Sequence, residues 1–126
     1  MISITISLVS YHPDLPMLHQ TLASLKQAIK IAREAGQVDE ANLVLVDNGN
    51  DAGLAELTAE TGWTDTIILS GQGNVGFGRG HNLAMAQGMG DLHLVLNPDV
   101  DLEPVSLRQA IAFMNAHPEC GILAPA

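Results

Sequence analysis

The sequence predicts an α/β fold built on a mainly parallel, doubly wound sheet. Three observations predict it. Short apolar runs alternate with segments of helical period along the whole 126 residues. The links between them are too short for anything but direct strand–helix succession. Clusters of polar and glycine residues follow the carboxyl end of one run after another. Such alternation implies right-handed crossovers and neighbouring parallel strands.

Ile2 to Val9 is apolar and β-branched and reads as the first strand. Pro13-Asp14 ends it. Leu15, Leu18, Leu22, Leu25, Ile29 and Ala32 then recur at spacings of three and four, one apolar helical face, with Gly36 as its stop. Leu43 to Val46 is a continuous apolar run, the pattern of a strand buried on both faces. Asp47-Asn48-Gly49-Asn50 is turn chemistry at its end. A weak helix from about Ala52 to Thr61 leads to a third strand at Thr66–Leu69, and a glycine-rich loop runs from Gly71 to Gly80. His81 to Gly88 is expected to be helical, with Ala84 and Met85 inward. Leu92 to Leu96 is a fourth strand, stopped by Asn97-Pro98-Asp99. Pro104 is expected to open a helix reaching about Ala116, and Gly121-Ile122-Leu123 to begin another strand.

Composition bounds the function. The chain is 47% hydrophobic and 3% aromatic, with a mean hydropathy of +0.21, a mix that suits aliphatic parallel strands covered by helices. Its net charge of −9 repels phosphate backbones and anionic lipid, which argues against nucleic-acid partners and against electrostatic membrane attachment. A phosphorylated small molecule is still compatible with that charge if a divalent metal bridges the two. Cys120 is the only cysteine, so no internal disulfide can form, and a reducing compartment fits. No basic n-region precedes the first apolar run, and no apolar run reaches the ~20 residues of a membrane helix.

Four polar clusters follow strand ends, the edge at which open α/β sheets bind ligands. Gly71, Gly73 and Gly76 form a literal G-x-G-x-x-G after a strand and before a helix. As a dinucleotide fingerprint it is disfavoured. It follows the third strand instead of the first, and Asp91, twenty positions on, precedes its strand where a ribose-binding acid should end one. In Asn97-Pro98-Asp99-Val100-Asp101, two carboxylates emerge from a strand end. They could hold a hard cation together with substrate phosphates, or make an Asx turn that closes the strand. Asp47 and Asn48 could read the polar edge of a base or form a turn. Tyr11, the only tyrosine, could stack on a base or pack at a rim. Arg79 could meet a phosphate or be a solvated loop charge. No histidine pair has helical metal spacing, and one cysteine cannot build a zinc site. No nucleophile elbow or Walker loop is present, and Ser10 and Ser70 have no evident base.

Taken in order, the stretches Leu8-Val9-Ser10-Tyr11, Val44-Leu45-Val46-Asp47-Asn48-Gly49-Asn50, Gly73 to Asn82 and Leu94 to Val100 resemble family 2 glycosyltransferases of the GT-A fold, especially the rhamnosyltransferase-like branch. Each motif is loose, while their order and spacing are specific. The resemblance implies a Rossmann-like sheet forming the nucleotide-binding half of a GT-A fold. It implies that Val9 and Tyr11 line a nucleobase pocket, that Asp47 or Asn48 contacts the uracil or thymine edge, and that Asn74, Gly76, Arg79 and Asn82 lie along the ribose, diphosphate and sugar of the donor. Asn97-Pro98-Asp99 would stand at the family's D-x-D position, with Asp99, helped by Asp101, as the ligand of Mg²⁺ or Mn²⁺. Asn97 departs from the first acid of that motif.

The activity implied is inverting transfer from a UDP- or dTDP-linked sugar to an acceptor hydroxyl, in cell-surface polysaccharide synthesis. The partners implied are the nucleoside-diphosphate sugar and, for a full-length protein, a glycan or lipid-linked acceptor. The location implied is cytoplasmic, extending to the inner face of the membrane for the full-length form. Residues 1–126 are expected to be one sugar-nucleotide-binding domain, truncated relative to a complete transferase. The catalytic base and acceptor site would then lie outside it, and the isolated chain would be inactive. Self-association into a homo-oligomer is one way to cover apolar surface left by such a truncation. A non-catalytic sugar-nucleotide-binding module would show the same motifs, and a dinucleotide-dependent oxidoreductase domain is the remaining alternative.

Overall fold

A computed structural model describes residues 1–64, 66–88 and 90–124. The elements run β1 (Ile2–Ser10), α1 (Leu15–Glu34), β2 (Val38–Asp47), α2 (Leu54–Glu60), β3 (Thr66–Leu69), α3 (Phe77–Gln87), β4 (Leu92–Leu96) and α4 (Ser106–Ala116). The strands form one sheet in the order β3-β2-β1-β4, and every pairing is parallel. Winding therefore runs outward from β1 through β2 to β3, then reverses to place β4 on the other side of β1. With right-handed crossovers, that reversal requires α3 to cross the face opposite α1 and α2.

The two faces of the sheet differ chemically. Ile4, Ile6 and Leu8 of β1 pack with Leu43 and Leu45 of β2 beneath Leu18, Leu22, Leu25 and Ile29 of α1. Leu54 and Leu57 of α2 and Leu107 and Ile111 of α4 extend this main core, and Trp63 completes it with its indole N–H donating to the Leu22 carbonyl at 3.3 Å. The opposite face presents the alternate residues of β1, Thr5, Ser7 and Val9. Among the described residues, Val9, Val44, Val46 and Ala84 form the buried apolar cluster there, with Leu69 at its edge. α3 closes that face through Gly80, His81 and Ala84, its buried residues.

The structure corrects several expectations. β2 begins five residues earlier than the apolar run, because Val38 and Ala41 are buried beside β1 although the polar residues around them hide the pattern. α3 starts at Phe77, inside the glycine loop, and its inward face is 80-81-84, which leaves Met85 43% exposed. Pro104 lies in the turn before α4, where the Ser106 N–H bonds the Glu103 carbonyl. Gly121-Ile122-Leu123 forms no strand. It pairs with no neighbour, and Ile122 is 91% exposed. No helix of the described residues is long and apolar enough to cross a membrane.

Candidate functional site at the switch point

The sheet reverses its winding between β1 and β4, where α3, which leads into β4, crosses the face opposite α1. Open α/β sheets bind ligands in the crevice at such a reversal. A cleft of about 360 Å³ lies here, lined by Val9, Pro13, Asp14, Met17, Phe77, Asn97, Pro98 and Asp99. Of the residues singled out in the sequence, Val9 and the whole Asn97-Pro98-Asp99 stretch line it. Pro13, Asp14 and Met17 were missed, as was Phe77. Their signal lay in topology: only the adjacency of β1 and β4 brings the first turn of α1 opposite the start of α3.

The turn after β4 is fastened along α1. The Thr21 hydroxyl, shared with the Met17 carbonyl of its own helix, lies 3.0 Å from the Pro98 carbonyl oxygen. The Leu102 N–H donates to the Ser24 hydroxyl at 3.0 Å, and the Gln20 amide donates to the Asp101 carboxylate at 3.2 Å. The two acids of this segment thus have different surroundings. Asp101 is engaged with α1 and does not line the cleft. Asp99 is exposed at the cleft and accepts no hydrogen bond from the described residues.

Asp47 and Asn48 are both buried, at 4% and 5% exposure. The Asp47 carboxylate accepts the Asp51 N–H at 3.0 and 3.1 Å, which leaves it spare lone pairs. The Asn48 amide donates to the Gly76 carbonyl at 3.2 Å, while its oxygen accepts from the Gln72 amide at 3.1 Å. Asn48 therefore ties the end of β2 to the glycine loop. In that loop Gly71, Gly73 and Gly76 have φ of 88°, 73° and 88°, values that side chains strain to adopt. Asn74 accepts the Gly76 N–H at 3.3 Å through its side-chain oxygen, an Asx turn leading into α3.

The first intrahelical bond of α3 runs from the Gly80 N–H to the Gly76 carbonyl, and no side chain caps the helix. The N–H groups of its first turn are thus left as donors beside the cleft, with the partial positive charge of a helix start. Arg79 and Asn82 are exposed on this helix, and Tyr11 is exposed past β1. Neither Tyr11 nor Asn74, Gly76, Arg79 and Asn82 line the cleft itself.

Behind Val9, the Ser7 hydroxyl lies 2.7 Å from His81 Nδ1 and 2.8 Å from His93 Nε2. Burial pushes the His81 pKa down, aided by repulsion from His93, and burial pushes down that of His93. Both rings are held neutral, so the hydroxyl donates to one imidazole and accepts from the other. Asp91 has a structural post at the far edge of the sheet: its carboxylate accepts the Ser3 N–H at 2.9 Å and lies 3.3 Å from the Ser3 hydroxyl. Asp91 therefore cannot meet a ribose at the carboxyl edge.

Among the described residues, no group of three or more His, Cys, Asp and Glu stands close enough to hold a metal ion. An all-protein cage is therefore absent there. A lone uncommitted carboxylate at an open cleft fits the hard cations that take one or two carboxylates and complete their shell with phosphate oxygens and water.

No protein-family model matches the chain, and no curated protein matches it. Among solved structures it is similar to S. aureus TarS. For the structure of TarS 1-349 the TM-score is 0.70 at 19% identity, over 92% of this chain and 33% of that one. For a second TarS structure the TM-score is 0.72 at 19% identity, over 92% of this chain and 20% of that one. The chain thus spans about a third of the first of these chains and a fifth of the second. The likeness is one of fold: a Rossmann-like α/β unit with an all-parallel sheet flanked by helices.

Proposed function

We propose that this chain is the donor-binding part of a glycosyltransferase that uses a pyrimidine nucleoside-diphosphate sugar with the help of a divalent cation. One observation carries the reading: the switch-point cleft sets the uncommitted Asp99 carboxylate across from the uncapped start of α3. A diphosphate is the ligand that such a pair accepts. Its oxygens suit the helix N–H groups, and a cation held by Asp99 offsets the repulsion of an acidic protein. The order of motifs in the sequence and the shared Rossmann-like fold support the same reading.

In this arrangement Val9 and Tyr11 flank the base, and the spare lone pairs of Asp47 face the base edge. Arg79, Asn74, Gly76 and Asn82 follow the diphosphate and sugar. Mg²⁺ or Mn²⁺, when bound, supplies Lewis-acid neutralisation of the departing diphosphate. The carboxylate of Asp99 holds that cation, while Asp101 fastens the loop to α1. The chemistry supported is inverting transfer to an acceptor hydroxyl. The base that deprotonates the acceptor is assigned to no residue of this chain, and rhamnose is the sugar suggested by the motif resemblance.

Calorimetric titration with UDP, dTDP and NAD, each with and without Mn²⁺, tests the reading. UDP or dTDP should bind more tightly with Mn²⁺, and Asp99→Ala should abolish the difference. Equal affinity with and without Mn²⁺ would remove the metal assignment, and preference for NAD would remove the donor assignment.

A further inference from the structure

Tyr11 is 54% exposed at the end of β1, yet it is not loosely placed. Its ring centroid lies 4.1 Å from that of His12, at an interplanar angle of 44°. Consecutive side chains of an extended chain point to opposite sides. Here they share a side because His12 adopts a φ of 45°, in the left-handed region. Such a conformation persists in a non-glycine residue only when its surroundings impose it.

Asp51 imposes it. One oxygen of its carboxylate accepts the His12 backbone N–H at 3.0 Å, and the other lies 2.6 Å from His12 Nδ1. The hydrogen bond from the His12 ring, more than any other contact, holds the Asp51 carboxyl below its usual pKa. Asp51 is anchored in turn by its own N–H on the buried Asp47 carboxylate. The turn is shaped around this pair: a Cβ at Gly49 would come within 2.5 Å of Asp51 Oδ2 and 2.9 Å of His12 Nδ1. A continuous chain of contacts therefore runs from the end of β2 to the face of Tyr11, from Asp47 through Asp51 and His12 to the phenol ring.

We infer that Asp51 is a positioning residue for the nucleobase, acting through His12 to hold Tyr11 as the platform on which the base stacks. This rests on the donor-site reading above and deepens it, because it names the residue that sets the angle of the platform. The pair reaches solvent, His12 with 60% and Asp51 with 19% of its side chain exposed, and ion pairs open to water contribute little to folding. Loss of Asp51 should thus be felt in binding before it is felt in stability.

Stacking of one base on an aromatic ring is worth roughly 5- to 150-fold in affinity. Tyr11→Ala should weaken UDP binding within that range. Asp51→Asn, which keeps an acceptor and loses the charge, should weaken it by a smaller factor. The double variant should bind UDP no worse than Tyr11→Ala alone, since Asp51 acts only through the ring. Binding of pyrophosphate with Mn²⁺ should be the same in all four proteins, and so should the thermal midpoint. Tyr11 is the only tyrosine, so its ring resonances can be followed directly. Asp51→Asn should shift them in the free protein and reduce their change on adding UDP. The inference is overturned if Asp51→Asn binds UDP as the parent does, if the two losses add, or if pyrophosphate affinity falls in step. A parent chain that binds pyrophosphate but not UDP would instead overturn the donor-site reading, and this inference with it.

Discussion

Gly80 offers a sharp test of how α3 is seated. A Cβ built on this glycine would lie 2.8 and 2.9 Å from the two γ-carbons of Val9, where carbon atoms settle at about 3.5–4.0 Å. Gly78, two residues earlier in the same helix, has nothing within 4 Å of that position. Alanine is favoured over glycine inside a helix by roughly 0.5–1 kcal/mol. Gly78→Ala should therefore be neutral or stabilising by up to that amount. Gly80→Ala gains the same propensity but overfills a packed contact, which costs about 1–3 kcal/mol. The net effect should be a loss of about 1–2 kcal/mol, or roughly 4–8 °C in thermal midpoint. Val9→Ala removes the two methyls in the way, so the double variant should recover much of the loss, with a coupling of about 1 kcal/mol or more. Urea midpoints of the four proteins of the cycle measure this. Gly80→Ala as stable as Gly78→Ala, or strict additivity with Val9→Ala, would refute the seating of α3 on Val9.

Two other outcomes follow from the site. His81 and His93 have pKa values depressed by burial, so the unfolded chain binds more protons than the folded one once the pH drops below about 6.5. Their stabilising contribution should be complete above that pH and fall away beneath it. Thermal midpoints between pH 8 and 5 should drop more steeply in the parent than in a His81→Gln, His93→Gln variant, and equal slopes would refute the burial argument. Asn48→Ala removes two hydrogen bonds, one to the Gly76 carbonyl, which keeps the Gly80 N–H, and one from the Gln72 amide, which keeps the Asp47 and Leu69 carbonyls. At about 0.5–1.5 kcal/mol each, this should cost about 1–3 kcal/mol. UDP and dTDP affinity should fall alike, with free Mn²⁺ binding untouched, and an unchanged unfolding midpoint would mean that the loop is held by something else.

The strand–helix order was legible because aliphatic runs bounded by Pro, Gly and Asn leave little choice of period, and Thr66–Leu69 and Leu92–Leu96 fall where the sequence put them. The start of α3 was not legible. Phe77-Gly78-Arg79-Gly80 looks like loop by propensity, and helix wins because Gly80 and His81 must meet Val9 and Ser7 across the interface. That the polar clusters gather at the carboxyl edge of the sheet was legible, but which cluster faces which was not. That depends on β4 pairing with β1 and not with β3, a long-range fact with no local signature. Likewise, nothing local distinguishes Asp99 from Asp101. The difference is made by Gln20 and Thr21 on a helix some eighty residues away in the chain.

The chemical inequality of the two sheet faces sets the order in which the molecule loosens. α1 is fixed by a continuous aliphatic layer, so its amides can be released to solvent only by events approaching global unfolding. α3 rests on Val9, Val44, Val46 and Ala84, and beyond them on hydroxyl and imidazole contacts that water can replace. It is the separable unit of the fold, able to lift while the rest of the sheet stays closed. Amide hydrogen exchange should therefore be faster along Phe77–Gln87 than along the middle of Leu15–Glu34, and a ligand seated on the first turn of α3 should slow it there first. On this account the segment proposed to grip the nucleotide would be stabilised last, and capture and ordering of the loop would be one event.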